Sequence, residues 1–353
     1  MKAVLHFFLL MLTARLYAQS PCETSGPIPF EENGKWGYVS ASGVAISPRF
    51  DVAGIFSSEG AVICLADRCG LIDTSGSFIA SQWNRSSGLF PGRYTEGLAP
   101  ASKGDMWGYV DRSGQVVISY QFRYAGNFDH GMAKVLLGDK YFFIDKSGNR
   151  MTPEFEGVFE FHEELAAVVV GSKVGYIRRD GTFAIPAVNG SASGIDFSEG
   201  VAATRVKGKV GFMDKTGAVV IEPQYDDVFP FSDGFAAVQL GDRWGYIDHA
   251  GKVVIPIKFH IGHMFSEGVA SVELEGKWGF IGPTGKYVIP PAFEAAMPFC
   301  GGVAAVETYT KVGESNRGCR GVIFQGKHGV IDHSGKYVWR DAEDQMWPSP
   351  FCD

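Results

Sequence analysis

Apolar and polar positions alternate in short bursts along nearly the whole chain, and the bursts repeat. A template runs Phe231-Ser232-Asp233-Gly234-Phe235-Ala236-Ala237-Val238, then Asp242-Arg243-Trp244-Gly245-Tyr246-Ile247-Asp248, then Gly251-Lys252-Val253-Val254-Ile255-Pro256. Runs of this length, rich in β-branched and aromatic residues and bounded by Gly, Asp and Pro, predict strands rather than helices. Sliding the template along the chain finds nine registers, centred on Gly37, Gly70, Gly108, Phe142, Gly175, Gly211, Gly245, Gly279 and Gly329. The residue before the centre is Trp36, Cys69, Trp107, Tyr141, Val174, Val210, Trp244, Trp278 or His328, so Trp is preferred there and replaceable.

After six of the nine centres comes Asp-x-x-Gly, at Asp73 to Gly76, Asp111 to Gly114, Asp145 to Gly148, Asp214 to Gly217, Asp248 to Gly251 and Asp332 to Gly335. The carboxylate accepts backbone N–H groups two residues on and the glycine supplies the left-handed conformation, which together predict a type I turn with a bulge. The strand that follows is expected to stop pairing at Pro48, Pro186, Pro223, Pro256 or Pro290. Phe-x-[Glu/Asp]-Gly, as in Phe197 to Gly200 and Phe265 to Gly268, then turns the chain into the third strand. Three short strands make no core of their own, so the units must stack. The expected fold is all-β: a tandem array of about nine three-stranded meanders stacked as an open, solenoid-like superhelix. The alternative is a closed, propeller-like ring, whose blades usually have four strands.

Lys35-Trp36-Gly37-Tyr38-Val39 and Lys277-Trp278-Gly279-Phe280-Ile281 carry the signature Lys-Trp-Gly-[Phe/Tyr]-Ile-Asp-x-x-Gly almost letter for letter, and here the chain resembles the WG (Trp-Gly) repeat family. The resemblance implies a mainly bacterial, often exported tandem β-repeat protein, and it brings no catalytic residues with it. Departures at Cys69, Tyr141-Phe142, Val174, Val210 and His328 predict that Trp rings do not stack continuously.

Met1 and Lys2 precede an apolar run, Ala3 to Leu12, too short to span a bilayer, and Leu16-Tyr17-Ala18 ends in a residue suited to signal-peptidase cleavage. Residues 1–18 are therefore expected to be a signal peptide, and the product periplasmic, cell-surface or extracellular. Residues 21–353 form one array, with an insertion at 307–325 in the last repeat and a tail over 340–353. No later segment is long and apolar enough to cross a membrane. Losing Lys2 and Arg15 leaves 30 basic against 39 acidic residues, a net charge of −9 that repels phosphate and argues against nucleic acid as a partner.

Six cysteines in an exported chain predict disulfides rather than metal thiolates. Cys64 and Cys69 flank a tight turn and face each other across a hairpin. Cys300 lies in the degenerate turn Phe299-Cys300-Gly301-Gly302 and Cys319 in the insertion, which leaves Cys22 with Cys352.

The insertion shows in the spacing: Gly268 to Gly279 spans 11 residues, whereas Gly302 to Gly329 spans 27. Inserted segments map to loops, which often bind partners, so Tyr309, Lys311, Arg317 and Arg320 are candidate contact residues; the plainer expectation is an extended hairpin clipped by Cys319. His260 and His263 resemble a metal pair without a third ligand, and packed or surface histidines fit them better. The acids Glu59, Glu96, Glu199, Asp233 and Glu267 read as acceptors of turn N–H groups rather than as a repeated cation or sugar site. Trp36, Trp107, Trp244 and Trp278 read as packing between units rather than as sugar platforms. Gly190-Ser191-Ala192-Ser193-Gly194 has Ala where a nucleophile elbow needs Ser. No cofactor, metal or catalytic constellation is expected. The expected function is a non-catalytic scaffold or binding module for a protein or a cell-envelope glycan. The alternative is a hydrolase of polysaccharide or peptide built from acids on adjacent repeats.

Overall fold

The computed structural model describes residues 26–80, 83–84, 90–188, 196–315, 321–341 and 345–348. Residues 1–18, Cys22, Cys319, Cys352 and the segment 189–195 lie outside these ranges. All regular structure within them is β, in nine antiparallel sheets that match the nine sequence registers one to one. No sheet closes into a barrel among the described residues, and no helix is long and apolar enough to cross a membrane. The chain divides into two compact units: Ser40–Gly43 with the stretch from Phe231 onward, and the stretch up to Val39 with Val44–Pro230.

One module of the second half serves for all. Its strands are Ile261–Ser266, Val269–Leu274, Lys277–Ile281 and Tyr287–Phe293, each paired with the next. Three of these are the strands the sequence predicts. The first is a lead-in strand, cut to two residues at Val52–Ala53 and Asp227–Val228, that gives five of the nine sheets four strands. Two residues are too few to show an alternation, so the pattern hides it.

Counted without the lead-in, the second strand, Lys277–Ile281, and the third, Tyr287–Phe293, slip against each other. Trp278 pairs with Phe293 but Phe280 pairs with Ile289, so two residues of one strand span four of the other, and the same slip recurs at Trp107 and Trp244. The third strand therefore continues past its proline: Pro48, Pro186, Pro223, Pro256 and Pro290 all lie inside strands, contrary to the expectation that they end pairing. A bulge leaves some N–H groups without a ladder partner, so a residue lacking one is tolerated there.

The bulge also explains the central glycine. A Cβ on Gly211 would lie 2.2 Å from the Ile221 carbonyl oxygen, and one on Gly37 would lie 2.5 Å from that of Ile46. Where Phe142 replaces the glycine, the third strand is reduced to the single bridges Ile144 to Arg150 and Tyr141 to Phe155. The Phe142 ring is buried beneath the Arg150 guanidinium instead.

The core forms between modules. The ring two places after the Trp slot (Tyr38, Tyr109, Tyr176, Tyr246 or Phe280) is at most 2% exposed. It meets the Phe of the following Phe-x-[Glu/Asp]-Gly turn at centroid distances of 4.8 Å for Tyr38–Phe56 and Tyr109–Phe128, 5.0 Å for Tyr176–Phe197, 5.1 Å for Tyr246–Phe265 and 4.9 Å for Phe280–Phe299. The hydroxyls of Tyr38, Tyr109 and Tyr246 donate to the carbonyls of Gly54, Gly126 and His263 in the next module, each at 2.8 Å. Trp36, Trp107, Trp244 and Trp278 are only partly buried and pack at the rim of this core, which is why other residues can replace them. Truncating Phe128 to Ala is expected to cost about 3–5 kcal/mol in urea unfolding, against a clearly smaller loss for Trp107→Ala. Equal losses would return the Trp to the centre of the core.

Candidate functional site

In a repeat protein, side chains shared by every module serve the stacking, so a site has to be sought where modules differ. The shared acids come first. Glu96, Glu199, Asp233 and Glu267 take φ of 52–54° and are followed by glycines that also have positive φ, the geometry of a type I′ hairpin turn. The carboxylates of Glu96, Asp233 and Glu267 reach the next module's turn rather than their own. Glu59 accepts from Gly97 N–H at 2.7 Å, Glu96 from Gly131 at 3.0 Å, Asp233 from Gly268 at 2.8 Å and Glu267 from Gly302 at 3.0 Å. Glu163 does the same for Gly200 at 2.9 Å.

A cation following the Asp of Asp-x-x-Gly closes the same contact. Arg112 pairs with Glu59 at 2.8 Å, Lys146 with Glu96 at 2.9 Å, Lys215 with Glu163 at 3.2 Å, and His333 with Glu267 at 3.4 Å. These acids are thus engaged as staples. A concavity of about 480 Å³ lined by Glu163, Glu164, Arg178, Arg179, Asp180 and Lys215 is spent likewise, with Arg179 on Glu164 and Lys215 on Glu163. The turn aspartates are equally occupied: Asp111 Oδ1 accepts from the Ser113 hydroxyl, Ser113 N–H and Gln115 N–H, and the Ser113 hydroxyl leads in holding that carboxyl below its usual range. Glu59→Gln keeps an acceptor for Gly97 but loses the ion pair. Urea unfolding should show a loss of roughly 1 kcal/mol, because the Arg112 side chain is 54% exposed, and the loss should shrink in molar salt. An unchanged loss in salt would remove the ionic part of the staple.

Three departures from the pattern remain. In the second module Cys69 fills the Trp slot and is bonded to Cys64, its partner in register, with Cα atoms 4.0 Å apart. Cys300 is also disulfide-bonded. Its partner is not among the described residues, and the linkages of Cys22, Cys319 and Cys352 are not described.

In the eighth module the two histidines part company. His260 Nδ1 lies 3.4 Å from Glu273, while His263 is partly buried, shares a 2.8 Å hydrogen bond with the Ser271 hydroxyl and packs on the Trp278 ring at 4.8 Å. They do not form a ligand pair. Burial pushes the His263 imidazole down to about 4. The unfolded chain takes up this proton near pH 6.5 and the folded chain only near pH 4, so stability is full above the first value and falls as pH drops through the second. The loss is on the order of 3 kcal/mol. Thermal melts from pH 7 to pH 4 should show it, and it should vanish in His263→Met/Ser271→Ala, which copies Met297 and Ala305 from the next module. A wild-type slope retained by that variant would assign the acid sensitivity elsewhere.

The last module departs most. Its strands Val303–Ser315 and Gly321–Asp332 run on as a hairpin arm, paired from Tyr309–Gly326 to Ser315–Gly321 with a slip between Lys311 and Gly313. Gln345–Pro348 adds a further strand along Ile323–Gly326. Of the four contact residues read from sequence, Tyr309 sits at the root of the arm, Lys311 lies in its first strand opposite Phe324, and Arg317 and Arg320 fall outside the described residues.

Sequence reasoning missed the cluster at that root, although His328 in the Trp slot was its signal. His328 Nδ1 lies 3.0 Å from Asp341 Oδ2, which also accepts His328 N–H at 2.9 Å, and Nε2 faces Glu307 Oε1 at 3.9 Å. Glu294, held by Lys277 at 2.6 Å, adds a third carboxylate. Burial, then the charge of Glu294, raises the Glu307 carboxyl against the pull of His328, and burial followed by Glu307 and Glu294 raises the Tyr309 phenol.

Fold and site together define a tandem β-repeat protein with one specialised module. A family model described as WG containing repeat matches residues 107–141, 141–173, 211–244, 244–278 and 278–309, and the chain belongs to this family. A sequence search of curated proteins finds no match. Among solved structures, the chain is similar to one titled crystal structure of the eukaryotic initiation factor, at 14% identity over 91% of this chain and 97% of that one, with a TM-score of 0.59. This likeness concerns the fold alone. Hsv2p of Kluyveromyces lactis, at 10% identity over 71% of this chain and 90% of that one, gives 0.39.

Proposed function

We propose that the protein is an exported, non-catalytic binding module or scaffold for a protein or a cell-envelope component, with the arm of the last module as its contact. The observation that carries this reading is that the recurring polar groups hold module to module, whereas among the described residues the last module alone extends a hairpin beyond what stacking requires. Inserted hairpins on rigid repeats are where such proteins specialise. The third strands add exposed apolar positions, with Val117, Val220 and Val288 at 48, 49 and 51%.

The test compares the full chain with a variant in which residues 309–326 are replaced by Asn-Gly, a two-residue turn suited to joining Thr308 to its partner Lys327. Both are offered solubilised envelope proteins and purified envelope polysaccharide. Retention of a ligand by the full chain and its loss from the variant is the expected result; equal retention would take the contact off the arm. Cleavage of glycans or peptides by the full chain that disappears in Glu199→Gln or Glu267→Gln would overturn the non-catalytic reading.

A further inference from the structure

At the root of the arm the last module replaces an uncharged rim residue by an ionisable one. The pair opposite each other in register is Trp107 with Ser102, Trp244 with Gln239, Cys69 with Cys64, Trp36 with Glu31 and Trp278 with Glu273 in other modules; here it is His328 with Glu307, so the imidazole and not the carboxylate is what this module adds. Asp341 follows the third strand, Tyr337–Arg340, and closes on His328 through three contacts. It accepts His328 N–H at 2.9 Å, faces Nδ1 at 3.0 Å, and donates its own N–H to the His328 carbonyl at 3.0 Å. We propose that His328 is a pH-operated catch: protonated, it ties the chain leaving the third strand to the root of the arm, and deprotonated, it releases that tie.

Every charged group near the imidazole bears on this. Asp341 comes from the end of the third strand and Glu307 from the opposite strand. Glu294 interacts with Glu307 and is paired to Lys277, and Lys327, beside His328 in the chain, acts on Asp341. These carboxylates thus share one more cation while His328 is charged than when it is neutral, beside Lys277, Lys327 and Arg340, whose guanidinium donates to the Thr308 hydroxyl at 3.0 Å. Burial works against the imidazolium, but the hydrogen bond it donates to Asp341 and the charges of Glu307 and Asp341 outweigh it and raise the group. Its contribution is therefore complete below the ordinary imidazole range and is lost as pH rises through a folded value above that range.

Burial works against the Asp341 carboxylate too, and the bond to His328 nonetheless holds it below its usual range, so acid opens the catch only much lower. Buried Glu307, by contrast, gains from taking up a proton, and its ionised form depends on the His328 charge facing it. The consequence for the arm follows from topology: His328 and Ile323–Gly326, the segment to which Gln345–Pro348 pairs, lie on one strand. Releasing Asp341 frees the near end of the chain that adds the arm's extra strand.

Hydrogen exchange from about pH 6 to about pH 9, corrected for intrinsic rates, tests the catch without any partner. Protection of residues 323–326 and 345–347 is expected to fall by about tenfold across that range while the other modules stay level. His328→Gln should give the low protection at every pH, and Asp341→Asn should move the midpoint down. Imidazole NMR of the wild-type chain supplies the midpoint independently of either variant. An imidazole that titrates with no change in protection, or a fall in protection identical in His328→Gln, would overturn the catch.

Discussion

Everything else in this fold depends on one ring-to-ring contact. The aromatic two places past the Trp slot is sealed against the Phe of the next turn, and in three modules its hydroxyl is satisfied by the next module's backbone. A phenol buried without an acceptor carries a desolvation penalty, which the neighbour's carbonyl relieves in these three modules and not at Tyr176, whose hydroxyl is buried without a partner. Each module therefore completes its neighbour's core and cannot complete its own. A single sheet here is too small to be stable alone, and the interface supplies what the sheet lacks.

A second constraint sits beside the ring contact. Where the third strand bulges across the second, it passes so close to the centre of the second strand that only a glycine fits under it. In the Phe142 module a side chain stands at the centre and the third strand dwindles to isolated bridges, yet the ring contact persists, with Phe143 at 4.7 Å from Phe161, so the bulge follows the glycine and not the ring. Proline gathers in the bulge as well. The Trp-Gly pair that marks the family thus joins two unlike roles: the glycine is obligatory wherever the strand bulges, and the Trp is an exchangeable cover for the rim.

Much of this was legible in the sequence because it is local. The nine centres, the Asp-x-x-Gly turns and the Cys64–Cys69 bridge all involve residues within a few places of each other, and the structure has them where the spacing put them. The staples were not legible, since Glu96 finds Gly131 35 residues on and Lys146 50 residues on, and a repeat pattern shows that an acid recurs without showing which copy it serves. The same limit hid the arm root. His328 was visible as a break in the pattern, but Asp341, Glu307 and Glu294 become its neighbours only through strand order.

Breaks of this kind are where a stacked protein has freedom to specialise. Because the ring contacts and staples named above each join one module to the next, a substitution at one station leaves the other stations intact. The cation of the staple illustrates the range: Arg112, Lys146 and Lys215 are permanently charged, His333 is not, and Pro283 at the Asp233 station carries no charge. Gly268 still meets Asp233 without a cation, so the backbone bond holds the register and the ion pair is an adjustable addition. Evolution can then trade charge, titratable groups or an added hairpin at one station at a local cost. The last module, with His333 at its staple, His328 in its Trp slot and an arm between its first two strands, has made all three exchanges at once.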